Sequence, residues 1–146
     1  MYAGFLNRYL AYFIDRLAIF LVYILFWLVW ILFDRILNEI GIEQKIKKII
    51  LGNLGVIIYL VIPWLYYSFF ESSNGKATLG KKALGIIVVD ANNNKISFLR
   101  ATVRYWSKYI SLIIFFIGYI MAGFTKKKQA LHDIISVTYV IKNNTK

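Results

Sequence analysis

The residues with the most chemical potential in this 146-residue chain lie on one stripe near its start. Gly4, Arg8, Ala11, Asp15 and Ala18 follow one another at intervals of four, three, four and three, which keeps them on one face of a helix. Leu10, Phe13, Ile14 and Leu17 point elsewhere. A carboxylate among small residues on such a face has two readings. Asp15 is an ion or proton site inside a helical bundle, or it belongs to a structural ion pair near lipid headgroups. Arg8 lies two turns below it on the same face, whereas the adjacent Arg16 points about 100° away.

A second acid, Asp133, follows the single histidine, His132. Neighbours in sequence do not face each other on a helix or turn, so a catalytic dyad is not expected. Asp133 is expected instead to accept hydrogen bonds, or to pair with Arg8, Arg100 or Arg104. The run Gly75-Lys76-Ala77-Thr78-Leu79-Gly80-Lys81 has the start of a phosphate-binding loop, but Lys82 stands where a magnesium-ligating Ser or Thr belongs. Gly80 and Gly85 are better read as tight packing or turn positions, and Thr78 as the cap of a short helix. No Ser stands in a nucleophile elbow. The chain has no Cys and one His, which excludes disulfides, Cys-based zinc or redox sites and multi-His metal sites. No catalytic residues, cofactor or metal are expected.

The elements that must hold these residues follow from composition. The chain is 60% apolar and 17% charged, against roughly 45–50% and about 25% in ordinary soluble domains. A chain of this length cannot hide that much apolar surface, so the fold class expected is an all-α membrane protein organised as one domain over residues 1–146. The first apolar stretch runs over 9–33, with no charge between Leu17 and Phe33, and is too long for a signal-peptide core. The second, over 49–70, is free of charge and contains Pro63, which is tolerated in a span where neighbours satisfy the freed carbonyl. A third, over 109–124, spans only about 24 Å as a helix and is interrupted by Gly118 and Gly123. It is a short span or a re-entrant hairpin.

Between these stretches, residues 34–48 mix Ile36, Leu37 and Ile40 with charges and read as an interfacial amphipathic helix on the outer face. Residues 71–108 form a loop with a strand over 84–90, a turn at Ala91–Asn94, a return strand beginning at 95–98, and a basic amphipathic helix. On that helix Arg100, Arg104 and Lys108 form a stripe suited to lipid phosphates. The basic C-terminal segment, 125–146, carries Lys126, Lys127 and Lys128 as headgroup anchors and an alternating strand at 136–142. If the third stretch re-enters, 12 basic residues gather on one side against four in the first connector, which the positive-inside rule favours. This places the N-terminus and the small β element in the cytoplasm and the protein in the cell (plasma) membrane as a multi-pass protein. The net charge of +11 points to anionic membrane lipids as partners and not to nucleic acid, since no binding module is recognisable.

Three stretches carry a family resemblance: RYLAYFID at 8–15, KATLGKKALGIIVVD at 76–90 with SFLRATVR after it, and FTKKKQALHDIISVTYVI at 124–141. Their order and spacing resemble the RDD family of bacterial integral membrane proteins, named for one Arg and two Asp, which here map onto Arg8, Asp15 and Asp133. One departure is visible: family members often have a Pro in the third apolar stretch, where this chain has only Gly118. The resemblance implies a small membrane protein with an ion or small-solute transport role, such as cation/proton exchange, or regulation of another membrane protein such as a protease. Asp15 is then the candidate titrating group and Arg8 its tuner. Two spans and a hairpin cannot enclose a pathway, so transport requires a homo-oligomer or a partner. The alternative is a non-transporting adaptor that docks another membrane protein through the small-residue seam.

Overall fold

The computed structural model describes residues 1–113, 121, 123, 125 and 127–143. Helix α1, Phe5–Glu39, contains neither Gly nor Pro, and nothing in its sequence interrupts 35 helical residues. Helix α2, Gln44–Ser72, runs through Pro63 without ending. At 1.5 Å per residue they reach about 52 and 44 Å, more than the roughly 30 Å of a bilayer's hydrocarbon. Both are long and apolar enough to cross a membrane. Their large apolar side chains are mostly exposed, among them Phe20, Leu25, Trp27, Val56 and Ile57, which suits hydrocarbon and not water.

The two helices form an antiparallel hairpin. Tyr23 donates its hydroxyl to the Tyr59 carbonyl at 2.8 Å. Further along, Gly55 leaves room for the Trp30 ring, which a Cβ would meet at 3.6 Å. The expected connector helix at 34–48 does not exist as a separate element. These residues are the last turns of α1, a short turn, and the first turns of α2. Gly41 makes the turn with φ +78°, and the Gly41 and Ile42 N–H groups donate to Asn38 and Leu37 at 3.0 and 3.2 Å, closing the end of α1. Lys47 then reaches back to Asp34 at 2.8 Å and to Asn38 at 2.7 Å.

The opposite end of the hairpin carries the remaining described elements. Helix α3, Leu79–Ala83, follows the Thr78 cap. Strand β1, Ile86–Val89, pairs antiparallel with strand β2, Tyr139–Lys142, with Ile86 opposite Lys142 and Val89 opposite Tyr139. The far edge of β2 takes the N-terminus: Ala3 N–H donates to Val140 and Lys142 N–H to Met1, both at 2.9 Å. The two strands and the N-terminus therefore lie at one end of the hairpin. Between them Ala3, Ala11, Ile86, Val88, Ile96, Ala101 and Val140 make an apolar core.

The expected return strand at 95–98 is not formed. Asp90 closes the preceding turn by accepting from the Asn92 and Asn94 N–H groups at 2.9 and 2.8 Å. Ser97 then accepts from the Arg100 N–H through its hydroxyl at 3.2 Å, capping a helix start instead of continuing a ladder. Helix α4, Phe98–Ile113, follows, and a short helix α5, Leu131–Ile135, precedes β2. α4 takes in the start of the expected third stretch. Residues 114–120, 122, 124 and 126 lie outside the described residues, and with them most of that stretch, Gly118 and Lys126.

Candidate functional site

Five buried or nearly buried ionised side chains from five helices meet at the crowded end of the hairpin. Arg8 of α1 donates through Nη1 to Asp133 Oδ2. Its other donors reach the Lys128 carbonyl at 2.6 Å and the Ala3 carbonyl at 3.2 Å. Asp133 of α5 takes Arg104 of α4 on Oδ1, from Nε at 3.1 Å and Nη2 at 2.8 Å. Arg104 passes its remaining nitrogen, Nη1, to Glu71 Oε2 of α2 at 3.0 Å. Glu71 Oε1 accepts from Lys81 of α3 at 2.5 Å. The result is one chain of alternating sign, Arg8–Asp133–Arg104–Glu71–Lys81. Alternation is what makes burial tolerable, because each charge taken out of solvent has an opposite charge and hydrogen bonds on both sides or at its end.

Asp133 is fully buried. Burial alone would raise its carboxyl, but Arg104, His132 and Arg8 outweigh it and hold the carboxyl below the usual carboxylate range. Oδ2 also accepts the Ala130 N–H at 3.1 Å and so starts α5. The His132 imidazole lies 3.5 Å from Asp133 Oδ1. Burial pushes it down to about 3 despite that neighbour, so at neutral pH it is uncharged.

Asp15 belongs to a different arrangement. Its Oδ1 accepts from the Gly80 N–H at 2.7 Å and the Tyr66 hydroxyl at 2.8 Å, and Oδ2 accepts from the Thr78 hydroxyl at 2.7 Å. All three donors are neutral, and Asp15 has no cation within ion-pair distance among the described residues. The contact depends on Gly80: a Cβ there would sit 2.1 Å from the Ala11 carbonyl oxygen and 2.9 Å from Asp15. The small-residue seam of α1 thus receives this chain's own α3 at Ala11 and Asp15.

The expected site residues divide clearly. Arg8, Asp133 and Arg104 come together. Asp15 sits apart from Arg8, against α3 and its Thr78 cap. Arg100 is exposed and outside the ionic chain. Successive residues four apart on a helix drift by about 40°, so a stripe of three such residues spans about 80° and its ends face differently. Arg104 and Lys108 turn inward, while Arg100 stays out. Lys108 lies over the Tyr67 ring at 4.0 Å, on the inner side of α4. Lys127 is exposed near the Tyr139 ring, 5.3 Å away. Lys128 contributes its carbonyl to Arg8, as given above. Glu71, the link between Arg104 and Lys81, escaped the sequence reading. Its only signal was position: it ends the charge-free run of 49–70 and precedes Lys81 by ten residues.

Beside the ionic chain is a cavity of about 330 Å³ between α1, α2 and α4. Arg8, Arg16, Lys81, Arg104 and Lys108 line it together with Asp15 and several tyrosines. Among the described residues no cluster of His, Asp or Glu is arranged to hold a metal ion.

The model of the RDD family matches residues 2–137. A similar chain is the uncharacterised protein YxaI of Bacillus subtilis (strain 168), 38% identical over 148 residues covering 95% of this chain and 96% of the relative. No solved structure matches. The match takes in Arg8, Asp15 and Asp133 together with the two long helices, and the chain belongs to the RDD family.

Proposed function

We propose that this RDD-family protein binds a small charged solute in the cavity beside the ionic chain and moves it across the cell membrane as a homo-oligomer or with a second membrane protein. The observation that carries this reading is the cavity itself: a space that five basic side chains help to line, between the ends of two helices that are otherwise apolar. The N-terminus, the strands and the basic loops are placed in the cytoplasm, following the positive-inside rule. Re-entry of the 109–124 stretch is supported by the pairing of β1 with β2, because strands of one ladder lie on one side of a bilayer. Cation/proton exchange would use Asp15, whose oxygens are filled by three neutral donors. The solute is therefore placed at the cationic lining and not at Asp15. No catalytic step is part of this reading.

The test is flux. Vesicles holding the purified protein are followed for uptake of labelled phosphate and for ion-driven change of internal pH, with Lys108→Gln and Asp15→Asn alongside. Uptake above protein-free vesicles that falls in Lys108→Gln supports the reading, and flat traces for every protein remove it.

A second reading, an adaptor or regulator of another membrane protein, is favoured by one observation. The ionic chain joins the five helices of the described residues into a single saturated unit, which suits a rigid docking body better than a moving gate. Flat traces together with one stoichiometric membrane partner on purification would establish that reading.

A further inference from the structure

The ionic chain uses most of the polar groups at this end of the molecule, and what it leaves unused is informative. Arg8, Lys81 and Arg104 spend their donors on Asp133, Glu71 and backbone carbonyls. Lys108 does not: among the described residues it has no carboxylate within ion-pair distance and faces only the Tyr67 and Tyr105 rings, at 4.0 and 5.7 Å. Arg16 has one hydrogen bond, from Nε to the Tyr12 hydroxyl at 2.6 Å. The Tyr67 hydroxyl is buried with no hydrogen-bond partner among the described residues. All three residues line the same cavity.

Charge points the same way. The lining holds five basic side chains, and behind or beside them stand three carboxylates, Asp15, Glu71 and Asp133, so basic groups outnumber acidic ones by two. A buried cation without a counter-charge is costly, so this excess of basic groups favours an anion. An ammonium, a guanidinium and a phenol are all donors and match an acceptor-only group. A space of about 330 Å³ admits a phosphate ester or a lipid headgroup but not a large metabolite. Tyr9 and Tyr12, exposed on α1 at the cavity's edge, are the residue type that sits at headgroup level.

We propose that the cavity between α1, α2 and α4 is a binding site for a phosphate-bearing anionic group, held by Lys108, Arg16 and the Tyr67 hydroxyl. The inference rests on the cavity being a ligand site, as in the proposed function, but not on transport. Binding without flux would retain the site while removing the transporter.

The test uses the full chain purified in neutral detergent and follows its melting temperature. Dihexanoyl phosphatidylglycerol, dihexanoyl phosphatidylcholine and inorganic phosphate are titrated separately, against wild type, Lys108→Gln, Tyr67→Phe and Lys127→Gln. The expected result is saturable stabilisation by phosphatidylglycerol, by phosphate, or by both, with apparent affinity falling about tenfold in Lys108→Gln and about threefold or more in Tyr67→Phe. Lys127→Gln, outside the cavity, should match wild type. Phosphatidylglycerol acting alone identifies a headgroup, and phosphate acting alone a free anion. Equal stabilisation by phosphatidylcholine, or equal affinity in wild type and Tyr67→Phe, overturns the proposal. Tyr67→Phe removes one hydroxyl and no volume, so it decides the matter even if Lys108→Gln does not fold.

Discussion

Arg104 and Asp133 meet through two donors on one oxygen, Nε at 3.1 Å and Nη2 at 2.8 Å from Oδ1, with both side chains buried. This pair joins the middle of α4 to α5 and, through Glu71 and Arg8, to α2 and α1. An arginine suits the position because its planar fork serves two carboxylates at once, which a lysine cannot do.

Removing one partner leaves a buried charge uncompensated. Asp133→Asn and Arg104→Gln should each destabilise the protein by about 3–5 kcal/mol. Arg100→Gln, four residues away and exposed, should stay within about 0.5 kcal/mol of wild type. Denaturant unfolding in mixed micelles measures both, and a loss at Arg100 equal to that at Arg104 would refute the inward orientation of Arg104.

The seat of α3 on α1 makes a steric prediction. Gly80→Ala drives a Cβ into the Ala11 carbonyl oxygen, 2.1 Å away, so α3 must shift and lose the Gly80 N–H bond to Asp15. The expected loss is about 1–3 kcal/mol, as for other overpacked sites. Thr78→Val keeps the shape but removes one donor from the buried carboxylate, at about 1–3 kcal/mol. Protease sensitivity of the segment after Ser72 should rise in both variants, and an unchanged digestion pattern in Gly80→Ala would show that the approach is looser than 2.1 Å.

Acid should weaken the fold in two steps of the same sign. His132 titrates near 6.5 when unfolded and at about 3 when folded, so the unfolded chain takes up the proton first. Stability therefore falls as pH drops below about 6.5. Asp133 sits below its ordinary value, so its contribution is present above about 3.8 and is lost as pH falls through that range. Melting temperature measured from about pH 7.5 down to about pH 4.5 should decline, and His132→Asn should flatten that decline. A melting temperature that rises on acidification over this range would contradict the His132 assignment.

Much of this was legible in the residues alone, for physical reasons that can be named. The two long helices follow from charge-free apolar runs, and the strand segments at 86–89 and 139–142 from β-branched composition. The Thr78 cap and the tight packing of Gly80 follow from turn chemistry. What was not legible depends on tertiary geometry. Glu71 closes an apolar run and looks like the first residue of a loop until α3 and α4 bring Lys81 and Arg104 to it. Asp15 seemed to need a cation, yet its donors are a backbone N–H and two hydroxyls that arrive from 51 to 65 residues away. Arg100, Arg104 and Lys108 look equivalent in sequence, and only the packing of α4 separates the one outside from the two inside. The return strand at 95–98 lost to a single serine cap at Ser97.

The central claim is that Arg8, Asp133, Arg104, Glu71 and Lys81 act as one unit. Arg8 and Glu71 are not hydrogen-bonded to each other, and Asp133 and Arg104 stand between them. A double-mutant cycle on Arg8→Gln and Glu71→Gln, read by unfolding free energy in mixed micelles, tests this directly. The account predicts a coupling energy of at least about 0.5 kcal/mol, whereas losses that add to within about 0.3 kcal/mol would show five separate contacts and contradict it.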